Sequence, residues 1–192
     1  MKIIFVSAFI IFFTLFFENA AAAEDDVEVA TSRFKIILSN SQKIITVRDN
    51  NAVYQVIKLE ASSIDERKIT IADFNFDGAK DISVSGDEGN VAHFSSVYLF
   101  SKKRGKFELN KQFSEIPCIA VNTTEKTISG ECFHASACEN WVEKYSVGKR
   151  NELNMIEKKG FFCEPATDRS FKYTESYRNG KLIKNRITEI NP

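Results

Sequence analysis

The sequence predicts an all-β fold, an antiparallel β-sandwich or compact meander with propeller-like hairpins, and three observations carry that prediction. Short alternating or β-branched segments recur along the chain, polar turns separate them, and apolar residues at helical spacing are scarce. Phe34–Leu38, Ile44–Val47, Val53–Leu59, Ile69–Ala72 and Ile82–Val84 all have strand length and strand composition. Later segments read as hairpins. Phe94–Phe100 and Lys106–Leu109 flank a Lys-Lys-Arg-Gly turn, Trp141–Val147 and Leu153–Ile156 flank Gly148–Asn151, and Phe171–Tyr177 and Leu182–Ile187 flank Asn179-Gly180. The last signal is the strongest, since Asn-Gly accepts the positive φ angles of a tight type I′ turn. Each hairpin sets an aromatic residue before its turn and an apolar one after it, Tyr98 with Phe107, Tyr145 with Leu153 and Tyr177 with Leu182. Their unequal spacing departs from the fixed period of about 40 residues or more that a regular propeller shows, so a sandwich or meander is preferred. The 17 phenylalanines, some in the leader, read as core and hairpin packing.

Residues 1–23 read as a cleavable secretory signal peptide, with Lys2 as its positive start, Ile3–Phe17 as its apolar run and Ala20–Ala23 as the small residues a signal peptidase reads. Mature protein then begins near Glu24, and residues 24–192 form a single β-rich domain whose acidic start, Glu24–Glu28, is read as frayed. No later stretch is apolar enough to span a bilayer, so no membrane association is expected after cleavage. Lys plus Arg equals Asp plus Glu at 26 each, which leaves no net field to draw the surface onto nucleic acid. Cys118, Cys132, Cys138 and Cys163 are expected to form disulfides in an oxidising compartment. Of the possible pairings, Cys132 with Cys138 and Cys118 with Cys163 are favoured; a zinc site completed by His93 or His134 is disfavoured, because no paired CxxC occurs.

One segment carries sharp chemistry. Asp73-Phe74-Asn75-Phe76-Asp77-Gly78-Ala79-Lys80-Asp81 has the form DxNxDGxxD, with oxygen-bearing side chains at alternate positions and a glycine where a loop must turn sharply. A hard cation takes six to eight oxygens, and such a loop can converge the side chains of Asp73, Asn75, Asp77 and Asp81 with the carbonyl of Ala79 on a calcium ion. Phe74 and Phe76 alternate with these donors and can face the core. The twelfth position is Val84 rather than a bidentate Glu, and strands flank the loop, so the helix-pair switch of an EF-hand is absent. The competing reading is an Asx-rich turn held by its own side-chain hydrogen bonds. No GxSxG, HExxH, phosphate-loop or dinucleotide motif occurs, and the chain is read as a non-enzyme.

The segment Ile71–Phe113, with DFNFDGAKD followed by Val97-Tyr98-Leu99-Phe100, a basic turn, Gly105-Lys106-Phe107 and Asn110, resembles a family of bacterial periplasmic proteins with one FG-GAP-like calcium loop. That family includes immunity proteins against lysozyme-like effectors of antibacterial type IV secretion systems, and it is similar to the periplasmic inhibitors of invertebrate-type lysozyme. The resemblance extends loosely through Trp141–Ile156. It implies calcium at Asp73, Asn75, Asp77 and Asp81, a periplasmic location, and a protein partner that is a cell-wall hydrolase. It also implies an inhibitory loop, for which Gly130–Asn140 is the candidate, with Phe133, His134 and Ser136 as partner-binding residues. The expected function is thus a periplasmic immunity or inhibitor protein that blocks a cell-wall-degrading effector. The alternatives are a calcium-stabilised carbohydrate- or cell-envelope-binding module and a hydrolase without a sequence motif.

Overall fold

A computed structural model describes residues 26–59, 67–88, 92–136, 138–164, 166–167 and 169–190. The predicted signal segment, residues 1–23, lies outside the described residues. Among those described, no helix is long and apolar enough to cross a membrane.

Antiparallel meanders build the molecule, each strand hydrogen-bonded to its neighbour in sequence. The first sheet runs β1 (Asp26–Ala30), β2 (Phe34–Ser39), β3 (Ile44–Asp49) and β4 (Ala52–Lys58) in order. The second runs β5 (Ile69–Ala72), β6 (Asp81–Glu88), β7 (His93–Ser101) and β8 (Lys106–Leu109). A single-turn helix α1 (Lys111–Ser114), capped by Asn110, whose side chain accepts from the Phe113 N–H, leads into the third sheet. That sheet follows the order β9 (Ile119–Asn122), β10 (Thr127–Ser136), β11 (Glu139–Val147), β12 (Leu153–Glu164), β13 (Arg169–Arg178) and β14 (Lys181–Ile190). The all-β, antiparallel expectation holds.

Turn chemistry explains the tight hairpins. Asn179 and Gly180 take φ of 52° and 72°, the two left-handed positions of the predicted type I′ turn, and Asn50 and Asn51 repeat the device between β3 and β4 at 49° and 67°.

The second sheet is buried on both faces, and its alternation shows how. Tyr98 and Phe100 of β7, with Ile82, Val84 and Phe107, pack against Phe34, Ile36, Leu38, Ile45 and Val47 of the first sheet. Val97 and Leu99, one residue out of phase, pack with Phe74 against Phe113 and Ile116 and against Ile128 of the third sheet. The layers therefore stack as first, second and third sheet, with a separate hydrophobic core in each gap.

Several expectations need correction. Asp26–Glu28, the described part of the acidic start, belong to β1, paired from Asp26 opposite Ser39 to Ala30 opposite Lys35, because the edge of β2 supplies a ladder and Lys35 meets Glu28 at 2.8 Å. Gly130–Asn140 is not a free loop. Most of it belongs to β10 and β11, which pair through two register shifts that break the alternation by which a strand is read. A Cβ at Gly130 would lie 2.6 Å from Ile116 Cγ2, so the chain passes too close for any side chain there. Residues 119–122 form an additional short strand, and β12 runs on to Glu164 because β11 bonds it as far as Phe161 and β13 to its end. The favoured disulfides are replaced by Cys118–Cys132 and Cys138–Cys163, with Cα separations of 5.5 Å and 5.8 Å. Cys132 and Cys138 close no loop on themselves. Each instead ties the β10–β11 hairpin to an adjoining segment, a partner that sheet register selects and spacing alone does not.

Candidate metal centre

The DxNxDGxxD segment joins β5 to β6 and is anchored on both sides of the central sheet. Phe74 is buried in the core against the third sheet, Phe76 packs beside it, and Ala79 packs on the core against the first sheet. Phe76 and Gly78 take left-handed φ of 59° and 85°, which coil the intervening residues into a tight loop.

Side-chain oxygens face the inside of this coil and gather its amides. Asp73 accepts from the N–H groups of Asp77 at 3.0 Å and Gly78 at 2.8 Å. Asn75 Oδ1 accepts from Asp77 N–H at 3.2 Å, and Asp77 Oδ1 accepts from Ala79 N–H at 2.7 Å. Asn75 Nδ2 donates to Asp77 Oδ2 and, at 3.2 Å, to Asn151 Oδ1 in the β11–β12 turn. The Lys102 ammonium lies 3.4 Å from Asp77 Oδ1 and donates to the Asp77 carbonyl.

Asp81 closes the set from beneath. Its side chain is wholly buried, and its two oxygens accept from the N–H groups of Phe74 and Phe100, each at 2.8 Å, tying the loop to β7. Burial pushes this carboxyl up to about 7 against the pull of the two amides, and the nearby charges of Asp77 and Asp73 push in the same direction as burial.

The four predicted side chains thus belong to one loop, with Ala79 contributing its N–H to the network. Among the described residues, no group of three or more His, Cys, Asp or Glu side chains is drawn closely enough together to form a metal cluster. In kind the donors fit a hard cation, since all are oxygens and a carboxylate oxygen bonded to one amide retains a second lone pair. Asp73, Asn75, Asp77 and Asp81, with the Ala79 carbonyl, are the groups that would hold calcium.

The predicted partner residues separate. Phe133 stacks on Trp141 with ring centroids 5.6 Å apart, whereas His134 pairs across the hairpin with Asn140, is exposed, and sets Nδ1 beside the Cys132 carbonyl. Ser136 is exposed at the hairpin tip and accepts from Cys138 N–H. Sequence reasoning missed the surroundings of Phe133, where Trp141, Glu143, Lys158, Tyr173 and Glu175 share a face of the third sheet. The alternation Phe171, Tyr173, Glu175, Tyr177 was the available signal.

No family model, no curated protein and no solved structure matches this chain.

Proposed function

We propose that the chain is a periplasmic immunity or inhibitor protein that binds and blocks a cell-wall-degrading, lysozyme-like effector, with calcium pinning its β5–β6 loop and no catalysis of its own. The observation that carries this reading is the oxygen-lined loop locked between two cores, with Phe74 in one, Ala79 against the other and Asp81 bonded across to β7. Such a loop stiffens a scaffold and leaves its outer surfaces free for a partner. The Cys118–Cys132 and Cys138–Cys163 bonds support the reading as well, because they hold the β10–β11 hairpin within β10 and at its tip, and preorganisation lowers the entropy lost on binding. They also suit an exported protein.

The test is capture from periplasmic extract by residues 24–192, with and without a calcium chelator, followed by assay of the captured protein on peptidoglycan. The expected outcome is a cell-wall hydrolase whose activity falls when the chain is added. Retention of the chain on peptidoglycan with no protein partner, or turnover of peptidoglycan by the chain itself, would overturn the proposal.

A further inference from the structure

The inner face of the third sheet extends beyond the core it covers. Near the central sheet this face carries Ile128 and Tyr145, which belong to the core. Register then carries it outward through Glu143 and Trp141 of β11, Lys158 and Phe162 of β12, and Glu175, Tyr173 and Phe171 of β13. Gly160 lies between Trp141 and Tyr173 in this array, and a Cβ there would sit 2.7 Å from Trp141 Cβ. The outer part of the face forms a shallow cavity of about 250 Å³, lined by Glu139, Lys158, Tyr173, Glu175, Asn185 and Ile187.

Its charges are fixed and uncompensated. Glu143 is buried and accepts from Trp141 Nε1 at 2.8 Å and from the Tyr145 hydroxyl, while Glu175 accepts from the Tyr177 hydroxyl at 2.6 Å. These donors are neutral. Among the described residues, Glu139, Glu143 and Glu175 form no ion pair within 4 Å, unlike Glu157, Glu164 and Glu189 nearby. The cavity lining sets Glu139 and Glu175 beside Tyr173, whose phenol is pushed up to about 12 by burial and then by the fields of Glu175, Glu139 and Glu143. Lys158 lies over the Trp141 ring at 4.3 Å and near the Tyr173 ring at 5.9 Å, while Arg169, farther along the face over Phe171, is paired with Glu164. The aromatic walls therefore already seat one ammonium, and the carboxylates around the cavity carry more negative charge than that one cation balances.

A sugar fits this face poorly. Trp141 is covered by Phe133 on one side and approached by Lys158, and Phe162 is stacked on Phe171 at 5.1 Å, so these rings turn their faces to one another.

We infer that this face docks a basic protein surface, seating an arginine or lysine side chain of the partner against Tyr173 between Glu139 and Glu175. The inference rests on the reading of the chain as a protein-binding inhibitor and adds where the partner sits and what chemistry it presents. Guanidinium suits the cavity best, being planar, able to stack on a ring and able to bond carboxylates in pairs.

Trp141 is the single tryptophan of the chain, so its emission reports on this face alone. The full mature chain is titrated with hexa-arginine, hexa-glutamate and chitotetraose. Hexa-arginine is expected to change the emission saturably, and Glu139→Gln with Glu175→Gln to weaken it about tenfold or more, the loss of a charge-assisted contact. Lys158→Gln should act in the opposite sense and tighten it several-fold by removing the resident ammonium. Unchanged far-ultraviolet circular dichroism checks that each variant folds. Equal response in the wild type and the double variant, weakening by Lys158→Gln, or a response to chitotetraose in place of hexa-arginine would overturn the inference. Extract capture separates the two readings. A wild type that captures no protein sinks the inhibitor reading whatever the peptide does, and a double variant that captures the same hydrolase as tightly as the wild type sinks only the docking face.

Discussion

Lys102→Gln offers a direct test of the proposed calcium site, because it removes the cation that an ion bound there would displace. The ammonium lies 3.4 Å from Asp77 Oδ1, and the two side chains are 57% and 33% exposed. An ion pair so exposed contributes about 0.2–1 kcal/mol after solvent screening. Calcium at Asp77 excludes that contact, so deleting it should tighten calcium binding by about 1.4- to 5-fold, the same energy expressed as a ratio of constants. Residual repulsion between ammonium and calcium acts in the same direction. Without calcium the substitution has the reverse effect, lowering stability by the same fraction of a kcal/mol. For an extracellular-type loop with a Kd of about 0.1–1 mM, 10 mM calcium stabilises the wild type by about 1.4–2.7 kcal/mol, or roughly 3–10 °C in melting temperature for a domain of this size. Isothermal titration of chelator-stripped protein gives the binding constants, and thermal melts with and without calcium give the stabilities. Weaker binding in Lys102→Gln, or the same calcium-induced shift in Asp73→Asn and Asp77→Asn as in the wild type, would refute the assignment of these oxygens to the ion.

Leu99→Ala, which empties a buried position between the second and third sheets, should lower stability to urea by about 2–5 kcal/mol, whereas Leu182→Ala at 51% exposure should stay within about 0.5 kcal/mol. Replacing Cys138 and Cys163 by Ser opens a loop spanning 25 positions and should lower urea stability by about 2–4 kcal/mol under oxidising conditions. In alkali, Tyr173 and Tyr177 should ionise only near pH 12, the first held up by burial and the second by its hydrogen bond to Glu175, with Tyr145 raised further by burial and Glu143. These phenols bind protons more tightly folded than unfolded, so their stabilisation is complete below about pH 10 and lost as pH rises through 12, which absorbance at 295 nm and melts across that range can follow.

The fold was legible where one residue type decides a local conformation. Asn179-Gly180 announces its turn because few other pairs accept two positive φ angles, and the unbroken apolar run Val97–Phe100 has the composition of a strand covered on both faces. What stayed hidden depends on neighbours distant in sequence. β1 has the acidic composition of a tail and exists as a strand through the ladder of β2, and β10 conceals its alternation behind two register shifts. Disulfide partners follow the same logic, since Cys138 reaches Cys163 across β11 and β12 while Cys132 is nearer in sequence. At the candidate site, the alternating donors from Asp73 to Asp81 could be read directly. The Asp81 tie to Phe100 N–H could not, nor could Lys102 on Asp77, because both partners come from β7 and the turn after it.

Loop and docking face are physically separate, and that separation predicts different signals from each. The loop reaches the third sheet through Asn75 and Asn151, at the turn that follows Val147. Trp141 stands six residues earlier on the same strand, about 20 Å along it at 3.3 Å per residue. Phe74 and Ala79, by contrast, pack on the cores on either side of the central sheet, and Asp81 ties the loop to β7, so an ion that tightens the loop stabilises the stacked layers as a whole. Calcium should therefore raise the cooperative melting temperature while leaving Trp141 emission in the folded protein unchanged, and hexa-arginine should move the emission whether or not calcium is present. A calcium-dependent emission change abolished by Asp77→Asn would mean that the strain of the loop is transmitted along β11, and the two sites would have to be treated as one.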